Sequence, residues 1–213
     1  MKKQRQLCTG CGCLAAFLVW TVMVSRIDVQ AIGPEGSSVG FAAMNGWFHR
    51  LTGVHMTLYT VTDWLGLVPI AFALGFAILG LVQWIQRKSI WKVDSSILVL
   101  GGFYLAVMAA FLFFEEWVVN YRPVLIEGVL EASYPSSTTL LVLCVMPTAI
   151  FQLSFRMKKS TLRRFVFGML SAFTVFMVMG RLVSGVHWFT DIAGGVLLSA
   201  GLVLLYVAFS ESE

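Results

Sequence analysis

The chain has 213 residues, of which 58% are hydrophobic and only 12% charged. A soluble domain carries about 25% charged residues, so this composition excludes an ordinary soluble fold and makes the membrane span, about 20 apolar residues, the natural unit. The net charge of +4 does not point to nucleic acid, because the basic residues fall in short clusters between apolar runs, where they act as topology signals.

Six apolar runs follow one another. They cover Cys8 to Ser25, Gly66 to Gln86, Ser96 to Phe114, Thr138 to Phe155, Phe165 to Met179 and Thr190 to Phe209. The first follows Lys2, Lys3 and Arg5 as a signal peptide would, but no small-x-small cleavage motif ends it, and it is expected to stay as a helix. Cys8, Cys11 and Cys13 lie close together at its start without a fourth ligand nearby, so they are expected to pack rather than to hold metal. The one long loop, residues 26–65, contains the turn signal Gly33-Pro34-Glu35-Gly36. Phe41, Met44, Trp47, Phe48 and Leu51 then recur three and four apart, the pattern of an amphipathic helix at the membrane interface. That helix is expected to serve as a lid or lipid-entry wall, or as a connector lying on the headgroups. The expected fold is therefore all-α: residues 1–213 form a single polytopic membrane helix bundle with about six transmembrane helices and a short interfacial helix in the first outer loop.

Charge sets the orientation. Eleven of the 15 basic residues lie in the N-terminal tail and in alternate loops, with Arg87, Lys88 and Lys92 in one and Arg156, Lys158, Lys159, Arg163 and Arg164 in another. Short basic loops stay in the cytoplasm, so both termini are expected inside. Arg26, Arg50, Arg122, Arg181 and all three histidines, His49, His55 and His187, then fall at outer ends of spans or in outer loops.

Three outer stretches carry chemistry: Arg122-Pro123; Tyr134-Pro135-Ser136-Ser137-Thr138-Thr139; and Gly180 to Asp191. His187 and Asp191 are four apart and would share a helix face, letting Asp191 fix the imidazole tautomer and leave the other nitrogen free as base or nucleophile. Arg122 and Arg181 can grip phosphate oxygens in pairs. Ser136, Ser137 and Thr138 open an apolar helix, where hydroxyls and unpaired N–H groups favour an anion. Ionisable groups at spans are functional by default, and these converge on a phosphoryl group.

In order and spacing the three stretches resemble the signature of the type 2 phosphatidic acid phosphatase superfamily: Lys-x6-Arg-Pro, then Pro-Ser-Gly-His, then Ser-Arg-x5-His-x3-Asp. The third part is present from Arg181 through His187 to Asp191, with Gly180 in place of Ser. The signature region spans residues 115–191, and the six-helix layout extends the resemblance to nearly the whole chain. The resemblance implies that His187 forms a phosphohistidine, Asp191 orients it, and Arg122, Arg181 and Ser136 hold the phosphate, without metal or cofactor. It implies a lipid phosphate or diphosphate as substrate, which the charge pattern puts at the extracytoplasmic face. Small size and short tails point to a bacterial cytoplasmic membrane, and an endoplasmic reticulum membrane with a lumenal site obeys the same charge logic.

Two positions depart from the signature. Glu115, beside Glu116, stands seven residues before Arg122 where the family has Lys, and Thr138 stands where it has the histidine that protonates the leaving group. Without that acid a lipid diphosphate of the polyprenyl type, such as undecaprenyl diphosphate, is the favoured substrate, because a lipid monophosphate leaves more easily than an alkoxide. Glu116, His49 and His55 are the candidate replacement donors. The alternative reading is a degenerate relative that binds anionic headgroups or a partner protein without turnover. A transporter is disfavoured, since Gly101-Gly102 and Gly194-Gly195 do not form the paired broken helices of such folds.

Overall fold

The computed structural model describes residues 2–210. Among these residues are eight α-helices: α1 (Lys2–Arg26), α2 (Ala42–Thr52), α3 (Met56–Leu65), α4 (Leu67–Arg87), α5 (Ser95–Glu116), α6 (Ser137–Arg156), α7 (Thr161–Val183) and α8 (Phe189–Ser210). Six candidate spans result, because α3 and α4 run on as one stretch of 32 residues from Met56 to Arg87. The all-α membrane bundle expected from the six runs is thus the architecture found.

One boundary differs. The second span begins at Met56, ten residues before the apolar run at Gly66, so the 26–65 segment is not all loop. Thr57, Tyr59, Thr60, Thr62 and Asp63 interrupt the hydropathy of α3 and hid it. The break between α3 and α4 has a local cause. Pro69 has no N–H to give the carbonyl four residues earlier, and its ring crowds that carbonyl, so the hydrogen-bond ladder is interrupted near Gly66.

Helices α6 and α8 form the centre, with about half of each span buried, 50% and 44% respectively. α1 lies antiparallel along α8, and small residues let it approach closely. A Cβ on Gly201 would come within 2.6 Å of Leu14, and one on Gly10 within 3.0 Å of Leu205. The C-terminal end of α1 then bonds to the start of α8, with Trp20 Nε1 donating to the Thr190 carbonyl at 3.2 Å. The basic clusters gather at the opposite end of the bundle, where Arg87 pairs with Asp94 at 2.9 Å and Arg156 approaches the same carboxylate at 3.8 Å.

The amphipathic helix foreseen in the first loop is α2. Its Trp47 and Leu51 are exposed, at 59% and 67%, while Phe48 packs on Phe189 with ring centroids 5.4 Å apart. Asn45, fully buried, ties α2 to the start of α8 through Thr190, donating to its Oγ1 at 3.0 Å.

Candidate active site

Four segments meet at the end of the bundle remote from the basic clusters: the α5–α6 loop, the start of α6, the α7–α8 loop and α3. The α5–α6 loop folds as a tight hairpin too short to make a sheet. Ile126 and Val129 exchange backbone hydrogen bonds of 3.0 and 2.9 Å around Glu127-Gly128. Both central residues have positive φ, 50° and 81°, the geometry of a turn whose twist suits a two-residue hairpin. The hairpin pairs Arg122 with Glu131 and Asn120 with Ser133 through bonds of 3.0 and 2.9 Å. Side chains alternate along such a ribbon, so Asn120, Arg122, Glu131 and Ser133 share one face. That face carries the polar contacts to His187 and Asp191.

His187 precedes the first turn of α8, so the shared helical face expected for His187 and Asp191 does not form. Nδ1 of His187 lies 3.9 Å from Asp191 Oδ2, too far for a hydrogen bond. Ser133 bridges the gap, with its Oγ 2.9 Å from His187 Nδ1 and 2.5 Å from Asp191 Oδ2. A hydroxyl has one proton to give. Ser133 donates it to the carboxylate and accepts from an Nδ1–H, which leaves Nε2 with its lone pair. Arg122 agrees with this tautomer, since its Nη1 donates toward Nε2 at 3.4 Å. Burial first, then the Arg122 and Arg181 charges, hold the His187 pKa well below its usual 6.5, so the ring is neutral at pH 7.

Asp191 is fully buried and held on three sides. Besides Ser133 it accepts from Asn120 Nδ2 at 3.1 Å and from the Trp188 backbone N–H at 2.9 Å. The last contact is half of a capping box, the third helical residue reaching back to the N-cap amide, and it explains an acidic residue at that spacing. Gly185, at φ +70°, has no room for a side chain: a Cβ there would lie 1.9 Å from the Gly53 carbonyl oxygen. The close approach locks the α7–α8 loop onto the α2–α3 corner.

The two arginines are deeply placed, with 1% of Arg181 and 8% of Arg122 exposed. Arg181 Nη2 donates to Thr138 Oγ1 at 2.5 Å and to Asp63 Oδ1 at 2.8 Å, while Arg122 Nε pairs with Glu131 Oε2 at 2.9 Å. Tyr59 of α3 lies between them, its ring 4.8 Å from the Arg181 guanidinium carbon and 5.8 Å from that of Arg122. At the head of α6, Ser136 Oγ and Thr139 Oγ1 are buried without a hydrogen-bond partner, as is Arg181 Nε. Buried polar atoms are nearly always partnered, so these three groups depart from the rule. Ser137 and Glu115 line a small cavity beside Ser133 and Tyr134.

Arg122, Arg181, His187, Asp191, Ser136 and Thr138 are therefore brought together. The three candidate donors are not. His49 Nε2 bonds the Gly185 carbonyl at 3.1 Å, His55 Nε2 bonds the Thr52 carbonyl at 2.9 Å, and Glu116 is exposed at the end of α5. Ser133, Asn120, Glu131, Tyr59 and Asp63 were missed. The hairpin signal Glu127-Gly128 could have found the first three, but α3 gave no apolar pattern to mark the last two.

Residues 113–212 match the family model described as PAP2 superfamily. The matched segment is the one that carries the site. The whole chain is similar in structure to a transmembrane PAP2 type phosphatidylglycerolphosphate phosphatase from Bacillus subtilis, with a TM-score of 0.58 and 21% identity over 94% of both chains. At that identity the likeness concerns the fold alone. No curated protein sequence matches the chain. The matched segment takes in α6 to α8 and all of Arg122, Ser136, Arg181, His187 and Asp191.

Proposed function

We infer that this PAP2 chain is a lipid phosphate and diphosphate phosphatase. The observation that carries the reading is the neutral, buried His187, its free Nε2 beside Arg122 and its other nitrogen held through Ser133 by Asp191. In this reading Nε2 attacks phosphorus and forms a phosphohistidine, which water then hydrolyses. Arg122, Arg181 and the head of α6, with Ser136, hold the phosphoryl oxygens as charge develops on them. Ser133 and Asp191 are positioning residues, stabilising the imidazolium character that grows at Nδ1 during attack. The chain's own residues supply the charge and the nucleophile, and no metal is called on.

The alternation of basic clusters supports a site at the extracytoplasmic face with both chain ends inside, in a bacterial cytoplasmic membrane. A phosphomonoester of the phosphatidylglycerolphosphate kind is one substrate class, by analogy with the solved relative. A polyprenyl diphosphate is the other and the faster, because its leaving group is the weaker base. Two observations favour a second reading, a headgroup binder without turnover: Asp63 and Glu131 pair with the two arginines, and Glu115 replaces the family's Lys.

Phosphate release by the detergent-purified protein, with EDTA present, separates the two. Undecaprenyl diphosphate and phosphatidic acid are compared, with His187→Ala as control. The phosphatase reading expects release in the wild type and a loss of about 10⁴-fold or more in the variant. Lipid binding without release, or equal rates in wild type and variant, would refute it.

A further inference from the structure

The site as read lacks a proton donor for the leaving oxygen, since Thr138 stands where the PAP2 signature has its acid. Resting on the phosphatase reading above, we propose that Asp63 fills this role, as acid in the first step and base in the second. Asp63 and Thr138 share a single nitrogen: Arg181 Nη2 lies 2.8 Å from Asp63 Oδ1 and 2.5 Å from Thr138 Oγ1. The carboxylate therefore neighbours the position of the missing histidine. It reaches that position from a different helix, α3, which the signature does not include.

Its side relative to the nucleophile is also right. Contacts run in file from His187 to Arg122, from Arg122 to the ring of Tyr59, from that ring to Arg181, and from Arg181 to Asp63. Phosphoryl transfer requires the attacking and leaving atoms roughly in line on opposite sides of phosphorus. A phosphate that bridges the two guanidinium groups across the face of Tyr59 would meet His187 through Arg122 and Asp63 through Arg181, so the nucleophile and the acid stand on different arginines. Tyr59 and Asp63 are four residues apart and share a face of α3, so one helix face supplies both the wall and the acid. The Asp63 side chain is 57% exposed while that of Arg181 is 1% exposed, so the carboxyl reaches in from the mouth and exchanges protons with water. Glu131 is the other carboxylate on an arginine, but it sits on Arg122, the one that touches the nucleophile, and so lies on the attacking side.

The chemistry balances. Phosphate oxygens replace the Asp63 carboxylate on Arg181. The phosphomonoester enters as its monoanion, and its proton passes to the displaced Asp63 carboxylate. As His187 Nε2 bonds to phosphorus and the P–O bond to the lipid breaks, Asp63 gives its proton to the departing oxygen and the lipid alcohol leaves. Water then attacks the phosphohistidine, Asp63 takes a proton from it, and inorganic phosphate and free His187 are restored.

A donor's importance depends on its leaving group, whereas a structural role does not. Asp63→Asn keeps a carbonyl for Arg181 but cannot carry a proton. Release from phosphatidic acid, which expels an alkoxide, is expected to fall about 10²-fold or more. Release from undecaprenyl diphosphate should fall by much less, and Asp63→Glu should regain part of the loss on phosphatidic acid. The diphosphate rate itself reports that the variant is folded. Equal losses on both substrates, in a protein whose wild type shows His187-dependent release, would overturn the role of Asp63 alone. Absence of His187-dependent release in the wild type would overturn the phosphatase reading and this role with it.

Discussion

Arginines meet carboxylates at both ends of the bundle, under opposite conditions. At the basic end, Arg87 and Asp94 pair at 2.9 Å with 43% and 41% of their side chains exposed. At the site end, Arg181 pairs with Asp63 at 2.8 Å while only 1% of its own side chain is exposed. The first is a solvated pair, of the kind that contributes little to stability. The second is a buried guanidinium satisfied by a movable, half-exposed carboxylate, with a second nitrogen, Nε, left unpartnered. A buried cation is costly unless paired, and a pair whose carboxylate can swing to water leaves the cation ready for another anion. The same two residue types thus form a solvated brace at one end of the molecule and a buried, one-sided pair at the other.

The largest test of that contrast is Arg181→Lys. Lysine keeps the charge but loses the planar fork, in which Nη2 bonds Thr138 and Asp63 while Nη1 faces the Tyr59 carbonyl at 3.5 Å, and the phosphoryl oxygens lose a paired donor. Phosphate release is expected to fall about 10²–10³-fold. The mirror change at the other end, Arg87→Lys, should leave turnover unaltered. Comparable activity losses in the two variants would erase the distinction between the ends.

The contrast also marks how far the sequence carries. The six spans and the meeting of Arg122, Arg181, His187 and Asp191 were legible because hydropathy and the spacing of the third stretch are local signals. The position of Asp191 was legible for the wrong reason. It was expected to face His187 along a helix, but α8 starts at Phe189 and the link runs through Ser133. That serine is 54 residues from His187 in sequence, and only the register of the hairpin around Glu127-Gly128 delivers it. Asp63 was invisible for a different reason: polar residues that serve the site dilute the apolar run that would have announced its helix.

A smaller effect follows from the neutral His187. Its folded-state pKa lies well below the unfolded 6.5, so the unfolded chain binds the extra proton first as pH falls. The contribution of the neutral ring to stability is therefore full above pH 6.5 and is lost progressively below it, levelling off once the folded pKa is passed. Thermal melts of wild type and His187→Gln in detergent, from pH 7.5 downward, should converge as pH drops below 6.5. A constant difference across that range would mean that the ring is not held neutral by burial. The same burial predicts that any acid limb of kcat/KM owed to His187 lies well below pH 6.5.

The smallest effect belongs to the basic end. The Asp94 pKa is lowered chiefly by its hydrogen bond from Gln83, at 2.8 Å, with Arg87 and Arg156 adding charge. It also sits at the N-cap of α5, where a negative charge complements the helix dipole. Asp94→Asn keeps an acceptor for Gln83 and removes only the charge. With 41% of the side chain exposed, water screens most of what is removed, and the expected loss is under about 1 kcal/mol, with turnover unchanged. That loss should shrink further at high salt, since screening already weakens an exposed pair. Because the depressed carboxyl stays ionised until the pH is well into the acid range, it cannot account for a stability change just below pH 6.5. A melt series on Asp94→Asn that matched wild type in slope over that range would assign the slope to the site end, and a flattened slope would return it to the basic end.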